Sequence, residues 1–297
     1  ADGGGNLTRF VDFTTFGASD NGVSFGRYPD GSGTLVTMSA HSFGVANPVS
    51  VAQFRTGTGA INALPLVGPI VISEIMYHPP NDNSDDEYLE LLNVTTGAVD
   101  LFDAAFPSNT WRVGEAVEYN LPTNISLASG ARLLLVGTTN TALFRATHGI
   151  DPGVPVLGAW TGRLNNAGES VRLFKPGTPE TNLVPYILVE QVDYLDDIPW
   201  PSAADGNGPS LERLVTTNHG NTASNWFAGP PGGTPGDAPL GGLIDPIVTP
   251  ATPAPGNMLT VTVAIVASTL PTQVVTMVAV SGSITTNVMN DTGTGGD

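Results

Sequence analysis

The chain has 297 residues, 10 basic and 27 acidic side chains, a formal net charge of −17 and no cysteine. A surface of that sign repels duplex nucleic acid and anionic membranes, which bind proteins through Lys and Arg at their phosphates. The lack of thiols excludes disulfides, thiolate catalysis, iron–sulfur clusters and Cys-based zinc sites.

Apolar residues make up 40% of the chain, enough for one or two sizeable cores, and no apolar run is long enough for a membrane-spanning helix. A soluble, folded protein without membrane insertion or a nucleic-acid partner is expected. The sequence opens at Ala1 with neither Met nor a leader pattern, and so reads as a mature or excised segment.

Helix-period stretches are scarce, while short Val, Ile, Leu and Thr runs alternate with Gly, Pro, Asn and Asp. That spacing predicts an all-β sandwich or barrel. In chain order, strands are expected at Ile70–Met76, 87–93, Arg132–Val136, 170–174, 186–194, 259–266 and 273–280, with one helix at 139–148. The Pro- and Gly-dense stretch from 229 to 256 has no periodicity, and its later part reads as an extended linker.

An internal repeat gives further organisation. Asn21-Gly-Val-Ser-Phe-Gly-Arg27-Tyr28 aligns with Asn207-Gly-Pro-Ser-Leu-Glu-Arg213-Leu214. Upstream, Val11-Asp12-Phe13 aligns with Val192-Asp193-Tyr194, and downstream residues 43–46 align with 235–238. About 120 residues of further β structure precede the second copy from Ile70 onward, and the first copy has no such front half.

Several ordered motifs carry a family resemblance. Ile70-Val-Ile-Ser-Glu74-Ile-Met-Tyr77-His-Pro79 and Asp86-Glu87-Tyr88-Leu-Glu90-Leu-Leu-Asn93 open it. Leu127-Ala-Ser-Gly130-Ala-Arg132, Leu164-Asn-Asn166-Ala-Gly168-Glu169, Pro199-Trp200-Pro201 and Gly208-Pro-Ser210-Leu-Glu-Arg213 follow, and Asn225-Trp226 and Gly233-Thr-Pro-Gly236 close it. The stretch 68–239 resembles a lamin-tail domain of the bacterial secreted type. The resemblance implies an immunoglobulin-like β-sandwich. It also implies a setting in long extracellular surface proteins, often beside hydrolase, nuclease or adhesion domains, with no enzymatic activity of the module itself. On this reading residues 1–48 are the back half of a preceding copy, 49–67 and 240–256 are linkers, and 257–297 is a partial immunoglobulin-like β domain.

Several residues bear on chemistry. Glu87 and Glu90 fall on opposite faces of their strand and so cannot form an acid/base pair; pairing with Arg132 or Arg213 is expected instead. Gly22-Val-Ser24-Phe-Gly26 matches the G-x-S-x-G elbow, but no helix pattern follows it. His41, His78, His148 and His219 lack metal-site spacing and read as exposed loop residues. The acidic loop 81–87 makes Asp82, Asp85 and Asp86 candidate calcium ligands, and Asp193, Asp196, Asp197 and Asp205 form a second acidic group. Sequons stand at Asn6, Asn93, Asn124 and Asn290, and the Thr/Pro stretch 249–255 suits O-glycosylation.

The composite expectation is a non-enzymatic extracellular or cell-surface structural protein. Its copies would associate, with strands from one completing the sheets of the next into a filament. The alternative is an accessory adhesion or polysaccharide-binding module, with Trp111, Trp160, Trp200 and Trp226 as stacking platforms. No cofactor other than calcium is implied, and glycans are candidate attachments.

Overall fold

The computed structural model describes residue 4, residues 13–29, 33–41, 63–181 and 183–239, and the backbone of four further strands between 242 and 288. Sequence features at Asn6, Val11, Asp12, 43–46, 250–255 and Asn290 lie outside the described residues. The fold is all-β with a single α-helix among the described residues.

Strands β1 (Phe25–Tyr28) and β2 (Thr34–Thr37) form a hairpin. Next come β3 (Ile70–Met76), β4 (Tyr88–Asn93), β5 (Val99–Asp100), β6 (Arg112–Glu115), β7 (Val117–Asn120), β8 (Ser126–Leu127) and β9 (Arg132–Val136). Helix α1 (Thr141–His148) is followed by β10 (Val156–Gly158), β11 (Thr161–Gly162), β12 (Gly168–Pro176), β13 (Tyr186–Leu195), β14 (Pro209–Arg213) and β15 (Trp226–Pro231).

One six-stranded sheet has the order β10-β9-β4-β3-β14-β15, antiparallel except for β10 on β9. A five-stranded antiparallel sheet has the order β11-β7-β6-β12-β13. Both contribute to one core. Ile72, Leu91, Leu133 and Leu211 of the first sheet share a cluster with Val113, Val171, Leu173 and Val192 of the second. The result is a sandwich of two sheets over an apolar interior, with a second, smaller apolar cluster where Phe144 packs on Met76, Tyr88, Leu134 and Val136 of the outer face.

All four tryptophans belong to that core, with exposures of 4 to 7%, and Trp200 packs on Trp226 at 6.0 Å. None is a surface platform. Indoles bury too much apolar area to be left in water when a core is at hand.

The expected strands 70–76 and 132–136 match β3 and β9, and the other expected strands differ from the observed ones by one or two residues at an end. The helix begins at Thr141 rather than 139 because Asn140 caps it, its side chain accepting from the Leu143 amide. It ends at Gly149 in the left-handed conformation. β14 is the second copy of the repeat and β1 the first, and the aligned Gly22 and Gly208 both have positive φ, 81° and 108°.

Beyond the sandwich, β16 (Gly242–Thr249) pairs with β17 (Thr260–Val266), and β18 (Val275–Val280) pairs with β19 (Ser283–Val288). β16 thus lies within the Pro- and Gly-rich stretch read as a linker.

Candidate functional site: a buried carboxyl row

The outer face of the six-stranded sheet carries three carboxyl groups abreast. Register sets Glu90 of β4 opposite Glu74 of β3, and Glu74 opposite Glu212 of β14. Their exposures are 1, 2 and 0%. A β-bulge makes this arrangement possible. Strict alternation from Ile70 and Ile72 would turn Glu74 into the core; the register shift between Ile72 and Glu74 changes the phase. Ile75 and Tyr77 then continue the inner face and Glu74 joins the outer one.

The turn 232–237, which follows β15, lies over the row. The Thr234 amide donates to Glu74 Oε1 at 2.8 Å, the Thr234 hydroxyl to Glu212 Oε1 at 3.1 Å, and the Gly236 amide to Glu90 Oε2 at 2.8 Å. Gly233, at φ 70°, comes so close that any side chain there would collide with the Tyr88 hydroxyl and the Glu74 carboxyl. From the sheet itself, Tyr88 and Ser210 hydroxyls donate to Glu74 Oε1, each at 2.5 Å, and Ser73 Oγ donates to Glu90 Oε1 at 2.7 Å. Arg132 is the one cation touching the row among the described residues, with Nε 3.0 Å from Glu90 Oε1.

Three carboxyls to one guanidinium cannot all ionise out of water. Burial pushes Glu90 up to about 7 and Glu212 up to about 8, and the Glu74 carboxyl adds to both rises. Glu74 is itself raised by burial, against the pull of its hydrogen bonds. Glu74 Oε2 and Glu212 Oε2 are buried without a hydrogen-bond partner, so a negative charge there would have nothing to compensate it. Burial also raises Tyr88 well above the usual phenol range, so it stays a neutral donor. Burial, mutual repulsion and the single cation thus all favour protonated carboxyls in the row, and the turn helps to enclose all three.

The inner face of the same sheet treats charge differently. Arg213, 1% exposed, donates through Nη1 to Glu190 Oε2 at 2.7 Å and to the Ile72 carbonyl at 3.1 Å, and through Nη2 to the Asn218 carbonyl. This pair ties β14 of one sheet to β13 of the other. Burial raises the Glu190 carboxyl and the guanidinium opposes that rise. Of the expected pairings, Glu90 takes Arg132, whereas Arg213 takes Glu190. Glu87 pairs instead with Arg163 at 3.2 Å and accepts from the Leu164 amide at 2.9 Å. Burial pushes Glu87 up to about 6.

The acidic loop places Asp82 against Arg163 and Asn166, its Oδ1 accepting from Asn166 at 2.9 Å. Those hydrogen bonds hold its carboxyl below the usual range. Asp86 accepts from Asn83 at 2.8 Å, and the Asp85 amide donates to the Asn83 side chain. Among the described residues no three His, Asp or Glu side chains are arranged to hold a metal ion, here or around Asp193, Asp196, Asp197 and Asp205.

The histidines are also separate, and apart from exposed His41 they are half-buried rather than exposed. His78 contacts Asp205 at 2.5 Å, His148 stacks on Phe144 at 4.4 Å, and His219 meets Tyr28 edge-on at 5.4 Å. Ser24 precedes a strand, so the elbow geometry does not form. Asn93 is 1% exposed and its amide donates to the Leu127 and Ala128 carbonyls, which leaves no room for a glycan; Asn124 is exposed. No described helix is long and apolar enough to cross a membrane.

A cleft of about 300 Å³ opens between residues 15–18, strand β2 and the edge of β13, with Arg172, Gln191, His219 and Asn221 in its wall. Comparison of the chain with protein-family models, curated proteins and solved structures finds no match.

Proposed function

We propose that the chain is a non-catalytic structural module of an extracellular or cell-surface protein, built on a lamin-tail-like, immunoglobulin-like sandwich, whose copies associate by strand addition. The observation that supports association is the pair of two-stranded ribbons, β16–β17 and β18–β19, which pair with no other strand among the described residues. Their sequences, such as TVTVAIV and VTMVAV, are rich in β-branched and apolar residues. A lone two-stranded ribbon is marginally stable in water, and its open edges offer donors and acceptors to another chain.

The non-catalytic part rests on where the perturbed acids lie. The row under the 232–237 turn and the Arg213–Glu190 pair serve cohesion, inside the sandwich or beneath its cover. The motif resemblance of residues 68–239 supplies the cell-surface setting. The accessory sugar-binding alternative loses its aromatic platform with the four indoles buried.

Sedimentation velocity and electron microscopy across a wide concentration range test the proposal. Concentration-dependent growth into oligomers or filaments is expected, and Val278→Pro in the middle of β18 should suppress it by removing a ladder donor. A monodisperse monomer at every concentration overturns the strand-addition proposal.

A further inference from the structure

We propose that Glu90, Glu74 and Glu212 form a proton-operated latch: protonated, they hold the 232–237 turn across the outer face of the six-stranded sheet, and on losing their protons they release it. The latch belongs to the sandwich alone and does not depend on how, or whether, copies associate.

The groups facing the row decide its charge. β3 supplies Glu74, β4 supplies Tyr88 and Glu90, β9 supplies Arg132 and β14 supplies Glu212. From α1, His148 packs against the Tyr88 ring at 6.3 Å, and burial lowers its basicity, so it brings no positive charge at neutral pH. β15 carries no titratable side chain, and the turn itself adds only the exposed Asp237. Full ionisation would therefore set three negative charges against the single positive charge of Arg132. The excess of two falls on the Glu74–Glu212 side, where both orphaned oxygens lie.

Such a charge must be relieved by water, and the wall that bonds to the carboxyls themselves without belonging to the sheet is the turn. β3, β4 and β14 are held to their neighbours by ladder hydrogen bonds on both sides. The turn is held to the row by the two Thr234 bonds and the Gly236 amide. Those three donors also favour the ionised carboxyl, so they resist release until the repulsion among the three acids exceeds them. Glu212 has the weakest compensation. One hydroxyl reaches its Oε1 and nothing reaches its Oε2, so its ionised form would be the least supported of the three, and its loss of a proton loads the latch most directly.

Hydrogen exchange on the whole chain between pH 5.5 and 9.5, corrected for intrinsic amide rates, tests this. The Thr234 and Gly236 amides are expected to be protected at pH 5.5 and to lose protection by about tenfold per pH unit for each proton released above the midpoint. The β4 and β9 amides should stay protected throughout. Glu212→Gln, a neutral isostere, should keep the turn closed at pH 9. Protection of Thr234 and Gly236 that does not vary with pH, or that falls equally in Glu212→Gln, would overturn the latch. Should that variant not fold, carboxyl-carbon NMR of the unmodified protein decides the matter, because Glu212 titrating in the ordinary carboxylate range overturns the proposal and titration near pH 8 in step with turn opening supports it.

Discussion

On the inner face of the six-stranded sheet one arginine meets one glutamate, while on the outer face three glutamates share one arginine. Both sets are almost fully out of water; the outer one accepts from backbone amides and hydroxyls, while the inner arginine donates to two backbone carbonyls. They differ in stoichiometry, and this sets how each responds to change. The Arg213–Glu190 pair balances its charges and fails when one partner is removed. The Glu90–Glu74–Glu212 row balances its charges by keeping protons, and fails when the protons leave.

The largest effect expected is at Arg213. Arg213→Met strands the Glu190 carboxyl between the sheets and should cost about 3–5 kcal/mol in urea unfolding at pH 7. Adding Glu190→Leu should recover most of that loss, since a well-packed apolar pair can match a buried ion pair. A double variant no more stable than the single would show that the inner pair is not charge-balanced.

An effect of opposite character belongs to the row. Glu90 and Glu212 hold their protons to about 7 and 8 when folded, against 4.5 in an open chain. Between these limits the folded state binds more protons than the unfolded one, so the stability these two groups contribute is fully present below pH 4.5 and is lost as pH rises through 7 to 8. Unfolding free energy should therefore increase on acidification from pH 8 to 5, by about 1.4 kcal/mol per pH unit for each group in its window. A stability curve flat over that range would show that the row is not protonated.

Glu212→Gln sharpens the comparison further. It should be close to neutral at pH 5, become stabilising by about 1.4 kcal/mol for each pH unit above that up to pH 8, and flatten the slope between them. The smallest response is expected at the exposed loop. Asp82→Ala should leave the thermal midpoint unchanged, and added calcium should not shift that midpoint, because the Asp82 carboxyl is already engaged by Arg163 and Asn166.

Strands such as β3 and β9 could be read from the sequence because their apolar runs are bounded by turn residues. The partnership of Arg132 with Glu90 was also within reach, since a carboxylate in an apolar strand must find a cation. The row itself was hidden. Ser210 meets Glu74 across 136 residues of chain, a juxtaposition set by which strands become neighbours and not by local pattern. The available signal was the Ser73-Glu74 dipeptide, which interrupts an otherwise apolar β3 at the bulge. The strands β5, β8, β10 and β11, of two or three residues, and β1, β2, β6, β7, β14, β15 and β19, of four to six, were not among those expected, because runs so short carry little periodicity.

The bulge at Ser73 has one more consequence. It acts as the reading frame of β3: everything before it counts inward on Ile70 and Ile72, everything after it on Ile75 and Tyr77. Were Ser73 to pair as an ordinary ladder residue, the second half of the strand would be transposed, sending an acid into the hydrocarbon interior and turning the fully buried Tyr77 outward, whereas deleting Ser73 would straighten the strand with every later residue on its present face. Deletion of Ser73 is therefore the mildest one-residue deletion expected in β3, because it removes the irregularity and leaves Glu74 abreast of Glu90.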